Sequence, residues 1–156
     1  MGASPPLMYA PLVEESMVGP SVPLWKGLLF VFLPSLVVFI LLDVTWITLV
    51  GGSIYKTVLG NFLRSTPQIV PGLLAWVCIV GSVYLFALPN TRTPAAAIRQ
   101  GLILGLCLYG TYEFTNLSIL VPWTWALALV DTAWGSIACG VAAGLQSWIY
   151  RKLLTS

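Results

Sequence analysis

Four apolar runs fill residues 27–50, 69–88, 96–117 and 123–149, and each is long enough to cross a bilayer as a helix. The hydrocarbon core is about 30 Å thick, which takes about 20 residues of helix. Lipid offers a backbone no hydrogen bonds, so a single segment that crosses it must pair its own amides, and a helix does this. The runs therefore predict an all-α integral membrane protein, a four-helix transmembrane bundle within residues 26–156. Composition agrees. Hydrophobic residues make up 58% of the chain and charged residues 8%, where soluble domains average about 25% charged. A net charge of +2, with no histidine, no basic cluster and no Gly-rich phosphate loop, argues against a nucleic-acid partner. Pro34 is expected to bend the first helix, while Pro71 falls in the first turn of the second, where its missing N–H is harmless.

Residues 1–25 read as a separate extended tail. Pro5, Pro6, Pro11, Pro20 and Pro23 block a helix, and Glu14 and Glu15 add polarity. The stretch lacks the basic start of a secretory signal and the arginines of a transit peptide. Four crossings would put both termini and the middle loop on one side. That side carries Lys26, Arg92, Arg99, Arg151 and Lys152, against Lys56 and Arg64 on the other. An excess of Lys and Arg marks the inner side, so both termini are expected inside. The plasma membrane of a bacterium and an organellar membrane of a eukaryote fit equally. In the first outer loop, Ile54, Val58, Leu59, Phe62 and Leu63 could form the apolar stripe of a short interfacial helix. Cys78, Cys107 and Cys139 fall in separate runs and read as packing residues.

Three of the five acidic residues lie inside the apolar runs: Asp43, Glu113 and Asp131. Counted from the inner ends of their helices at about 1.5 Å per residue, Asp43 lies at roughly 24 Å, Glu113 at roughly 22–26 Å and Asp131 at roughly 27 Å. Three carboxyls on three helices thus reach one height, in the outer third of the bilayer. A mid-span Asp costs about 2.5–3.5 kcal/mol on insertion scales. These groups should face inward and be protonated, hydrogen-bonded or bound to a cation. Trp46 and Trp134 each follow an Asp by three residues, so each is expected to donate its indole N–H to its own Asp. Tyr109, Tyr112 and Asn116 flank Glu113 on the third run and complete the predicted layer, with Thr111 and Thr115 close by. Lys56 and Arg64 could instead fold back and pair with the acids.

Small residues recur at helical spacing. Gly101 and Gly105 lie on the third run, and Ser136, Gly140 and Gly144 on the fourth. Such spacing lets backbones approach closely. The groove could pack within the chain, or receive a second chain, a lipid or a pigment.

The stretches "LLDVTWI", "YGTYEFTNLSIL" and "LVDTAWG" resemble the motifs of an uncharacterised family of small four-helix membrane proteins, the domain-of-unknown-function family 2177. The resemblance covers about residues 30–145 and falls on Asp43 and Trp46, on Tyr109 to Asn116, and on Asp131 to Gly135. The chain departs from the family pattern where Glu113 replaces an Asp and where "VPW" replaces a charged, Gly-containing turn. The resemblance implies the four-helix fold and no established activity.

Three function classes follow. The first is a structural or accessory subunit of a larger membrane complex, among membrane lipids and other membrane-protein subunits. The second is a small solute or proton/ion-coupled transporter working through the intramembrane carboxylates. The third, an enzyme acting on a lipid-like substrate, is disfavoured because no nucleophile–base pair, histidine or metal-ligand set accompanies the acids. No cofactor is required. Lipid is one candidate, and chlorophyll another, through Glu113 or Asn116 as a magnesium ligand.

Overall fold

The protein, described by a computed structural model over residues 22–89, 91 and 93–155, is built from helices, and no strand forms among these residues. The Pro-rich tail up to residue 21 and Arg92 lie outside the described residues. The helical runs are α1, Leu24–Phe62; α2, Ile69–Ala87; α3, Pro94–Ile119; and α4, Trp125–Thr155. Three helices are long and apolar enough to cross a membrane: α1, α2 and Trp125–Leu154 within α4. The 26-residue α3 is long enough but is not among them. Its second half, with Thr111, Tyr112, Glu113, Thr115 and Asn116, dilutes its hydropathy.

α1 does not stop near residue 50 to begin a separate interfacial helix. It continues through π-helical turns at Leu28–Phe32 and Ile47–Gly51. The first turn precedes Pro34, whose ring crowds the carbonyl four residues back and whose nitrogen donates nothing. A widened turn lets the helix pass it unbroken. The second runs into Gly51 and Gly52, and a Cβ on Gly52 would collide with the Ile47 carbonyl. The α-helical segment Gly52–Leu59 ends at Gly60, whose φ of 49° is a glycine conformation. Ile54, Val58 and Leu59 are indeed an apolar stripe, but it faces the bundle. Leu59 is buried with Trp123, Leu127 and Ala128, and Ile54 and Val58 pack against that cluster. Phe62 stays exposed.

Hydroxyls on these helices mostly return to the backbone. Thr45 donates to the Leu41 carbonyl at 2.7 Å, Thr48 to Val44 at 2.8 Å and Ser82 to Cys78 at 2.8 Å. Such bonds satisfy a hydroxyl where lipid cannot. The starts of α3 and α4 are capped by threonines. The Thr93 hydroxyl accepts from the Ala96 amide at 3.1 Å, with Pro94 at the first position of α3. The Thr124 hydroxyl accepts from Leu127 N at 3.3 Å as α4 begins.

α3 and α4 form an antiparallel pair with close backbone approach. A Cβ on Gly101 would lie 2.5 Å from the Cys139 carbonyl oxygen and 2.6 Å from the Ala143 Cβ. One on Gly105 would lie 2.6 Å from the Gly135 carbonyl oxygen. Ser136 donates to the Leu102 carbonyl at 2.8 Å. Gly140 faces the Leu102 side chain and Gly144 faces Ile98. All five small residues of the expected groove thus pack within the chain. Phe39, Val80, Val83, Ala138 and Ala142 fill the space where α1 and α2 cover this pair. Nearer the ends of α1 and α4 that carry Lys26 and Arg151, the buried Gln146 donates from Nε2 to the Ser35 hydroxyl at 3.0 Å and to the Val80 carbonyl at 3.4 Å. One side chain therefore ties three helices.

This packing predicts opposite outcomes for two glycine substitutions, read by thermal unfolding in detergent. Gly101→Val drives a side chain into backbone and should cost about 3 kcal/mol, the upper range for overpacking. Gly72→Ala meets nothing within 4 Å and should be neutral or stabilising by up to about 1 kcal/mol.

Candidate functional site

The three acids of the apolar runs are all buried: Glu113 is 0% exposed, Asp131 7% and Asp43 9%. Each reaches indole or phenol groups on another element. Ser35, Phe39 and Asp43 are the buried positions of Leu33–Trp46, spaced by four, so Asp43 lies on the inward stripe of α1. Its Oδ2 accepts from Trp76 Nε1 of α2 at 2.7 Å, and its Oδ1 accepts from Trp134 Nε1 of α4 at 2.9 Å. One carboxyl therefore binds α1, α2 and α4. Hydrogen bonds to a charged acceptor are stronger than neutral ones.

The tryptophans are exchanged relative to the sequence expectation. Trp134 serves Asp43 rather than its own Asp131. Trp46 is turned toward Asp131 rather than Asp43. Its indole N–H stops short of a full hydrogen bond and has no other partner. The two rings stack face to face, with centroids 4.7 Å apart and planes at 6°. Gly51 makes room for the Trp46 ring, since a Cβ there would lie 2.9 Å from Nε1. Gly135 does the same for Tyr109, whose ring a Cβ would overlap. Tyr109 lies close to both Asp43 and Asp131.

Glu113 accepts from Trp123 Nε1 at 2.7 Å through Oε2, so the turn before α4 is fastened to α3. Its Oε1 is enclosed and receives no hydrogen bond, and the Glu113 side chain lies against Asp131. Asp131 is also approached by the Tyr55 hydroxyl, on the extension of α1 beyond residue 51. Among the described residues none of the groups acting on Glu113 or Asp131 is a cation, and Lys56 and Arg64 are both exposed. Neither folds back onto the layer.

Two residues expected in the layer stand at its edge. Tyr112 is 57% exposed and sets its ring edge-on to Trp123 at 6.0 Å. Asn116 is half-buried beside Tyr112, with its Nδ2 unpaired. Thr111 and Thr115 are exposed. Glu113 is too enclosed to meet a pigment magnesium from the lipid side. The residues that the sequence reading missed are Trp76, Trp123 and Tyr55. None shares a motif with an acid. Their common signal is an indole or phenol placed in an apolar run or at its rim, where the N–H or O–H needs an acceptor.

The exchanged pairing separates two otherwise similar substitutions. Trp134→Phe keeps a ring in the stack but strips Asp43 of a donor, and should cost about 1–3 kcal/mol in detergent unfolding. Trp46→Phe removes an indole N–H that makes no full bond, and should cost clearly less. Equal losses would contradict the assignment.

No curated protein and no solved structure matches the chain. A family model described as predicted membrane protein, DUF2177, matches residues 28–148, a span that holds Asp43, Glu113 and Asp131 with Trp46, Trp76, Trp123 and Trp134. The chain belongs to this family of predicted membrane proteins, DUF2177.

Proposed function

We propose that the protein crosses the membrane four times, with both termini inside, and serves as a structural or accessory subunit of a larger membrane complex. The polar layer is its internal tie, and α3 is the helix that meets a partner. The observation that carries this reading is the outward face of α3. Leu106, Cys107, Gly110, Thr111, Phe114, Thr115 and Ser118 line one shallow furrow of about 590 Å³ along it. Thr115 and Ser118 differ from the back-bonded hydroxyls elsewhere, since they are exposed and make no hydrogen bond among the described residues. A helix too polar to rank with the other spans, carrying small residues and free hydroxyls on its outer face, suits contact with another helix better than contact with lipid. The cation distribution supports the orientation. Lys26, Arg99, Arg151 and Lys152 gather at one end of the bundle and Lys56 at the other.

Transport is the second reading, favoured by the facing pair Glu113 and Asp131. It requires a route from either side to that pair. The hydrogen bonds that hold Asp43 to α2 and α4 argue for a tie before a pathway.

Extraction in a mild detergent followed by native mass measurement tests the subunit reading. The chain should migrate with other membrane proteins. Thr115→Leu combined with Ser118→Leu should release it without lowering its own unfolding temperature. A wild-type chain that migrates alone would overturn the proposal. Proton or solute flux in liposomes that vanishes in a folded Asp131→Asn variant would move the assignment to transport.

A further inference from the structure

Glu113 and Asp131 meet across the contact between α3 and α4, and both are enclosed. Glu113 Oε2 is committed to Trp123, while the enclosed Oε1 receives no hydrogen bond and the side chain lies against Asp131. Two ionised carboxyls cannot rest in this arrangement. Like charges held against each other in a low-dielectric interior repel strongly, and each also carries the cost of burial. One hydrogen removes both difficulties. It halves the charge, turns the contact into a short O–H···O⁻ bond, and gives Glu113 Oε1 the partner it lacks.

We infer that Glu113 and Asp131 bind one proton between them, carried on Glu113 Oε1 and donated to the Asp131 carboxylate, so that a proton pins α3 to α4. The surroundings decide which residue is the donor. Asp131 has the Tyr55 hydroxyl and the Trp46 indole turned toward it from α1, and these favour its negative form. Glu113 has the Trp123 indole alone. The other titratable groups facing the pair are Asp43 of α1, whose charge acts on Asp131, and Tyr109 and Tyr112 of α3. α2 directs its Trp76 to Asp43 instead. Among the described residues no group facing the pair is basic, so none of them neutralises it. The inference concerns the state of the pair and stands apart from the subunit role.

Infrared spectra of the full chain in nanodiscs test it through the C=O stretch of a protonated carboxylic acid. At neutral pH the wild type should show this band, shifted down on transfer to D₂O. Asp43→Asn should retain it. Glu113→Gln should abolish it while the fold persists, because the Gln N–H replaces the shared hydrogen. A wild type without the band overturns the inference, as does a band that survives Glu113→Gln or one that disappears only with Asp43→Asn. Should Asp43→Asn fail to fold, the comparison of wild type with Glu113→Gln decides alone.

Discussion

A carboxyl removed from water must find its hydrogen-bond partners inside the protein, and the architecture is arranged around three such groups. Asp43 holds one indole from α2 and one from α4. Glu113 holds the indole of Trp123 and with it the entry to α4. Asp131 gathers Tyr55 from the extension of α1 beyond residue 51. In lipid no apolar force drives one helix onto another, because the tails are as apolar as the side chains. Helix-to-helix hydrogen bonds and close packing therefore carry more of the burden than in a water-soluble bundle. The glycines follow from the same need. Gly51 and Gly135 are small where the Trp46 and Tyr109 rings must enter, and Gly101 and Gly105 let α3 approach α4.

The exchange of tryptophans between the two Asp-x-x-Trp stretches has a geometric cause. Three residues of helix rise about 4.5 Å. α1 runs away from its Lys26 end, so Trp46 lies about that far beyond Asp43 from that end. α4 runs the opposite way, so Trp134 lies the same distance nearer that end than Asp131. Once Trp134 is level with Asp43, Asp131 is necessarily level with Trp46. The identical spacing on antiparallel helices brings each Trp opposite the other helix's Asp, and the two rings meet in between at 4.7 Å. A Trp cannot easily serve its own Asp across three positions of one helix when a facing carboxyl lies straight ahead.

Much of this was legible in the residues. The apolar runs, the common height of the acids and the close pairing of α3 with α4 follow from lengths and spacings alone. Even the exchange could have been read, because the estimated heights already placed Asp131 a few ångströms outward of Asp43. What the spacing does not carry is the identity of distant donors. Trp76 is 33 residues from Asp43 and Trp134 is 91, and nothing local marks either as its partner. The extent of α1 was hidden by Gly51 and Gly52, which read as a break. In the fold they are what allows the helix to continue past the Ile47 carbonyl. α3 was read as a span like the others, although its polar half sets it apart.

The two halves of the bundle solve one problem with different chemistry. Toward the end that carries Lys26 and Arg151, the tie is neutral: the Gln146 amide bonds the Ser35 hydroxyl and the Val80 carbonyl. Toward the other end, carboxyls do the work. A carboxyl accepts two indoles at once, as Asp43 does, where an amide oxygen would share its site with an NH₂ group. The three acids thus lie where several rigid aromatic donors converge.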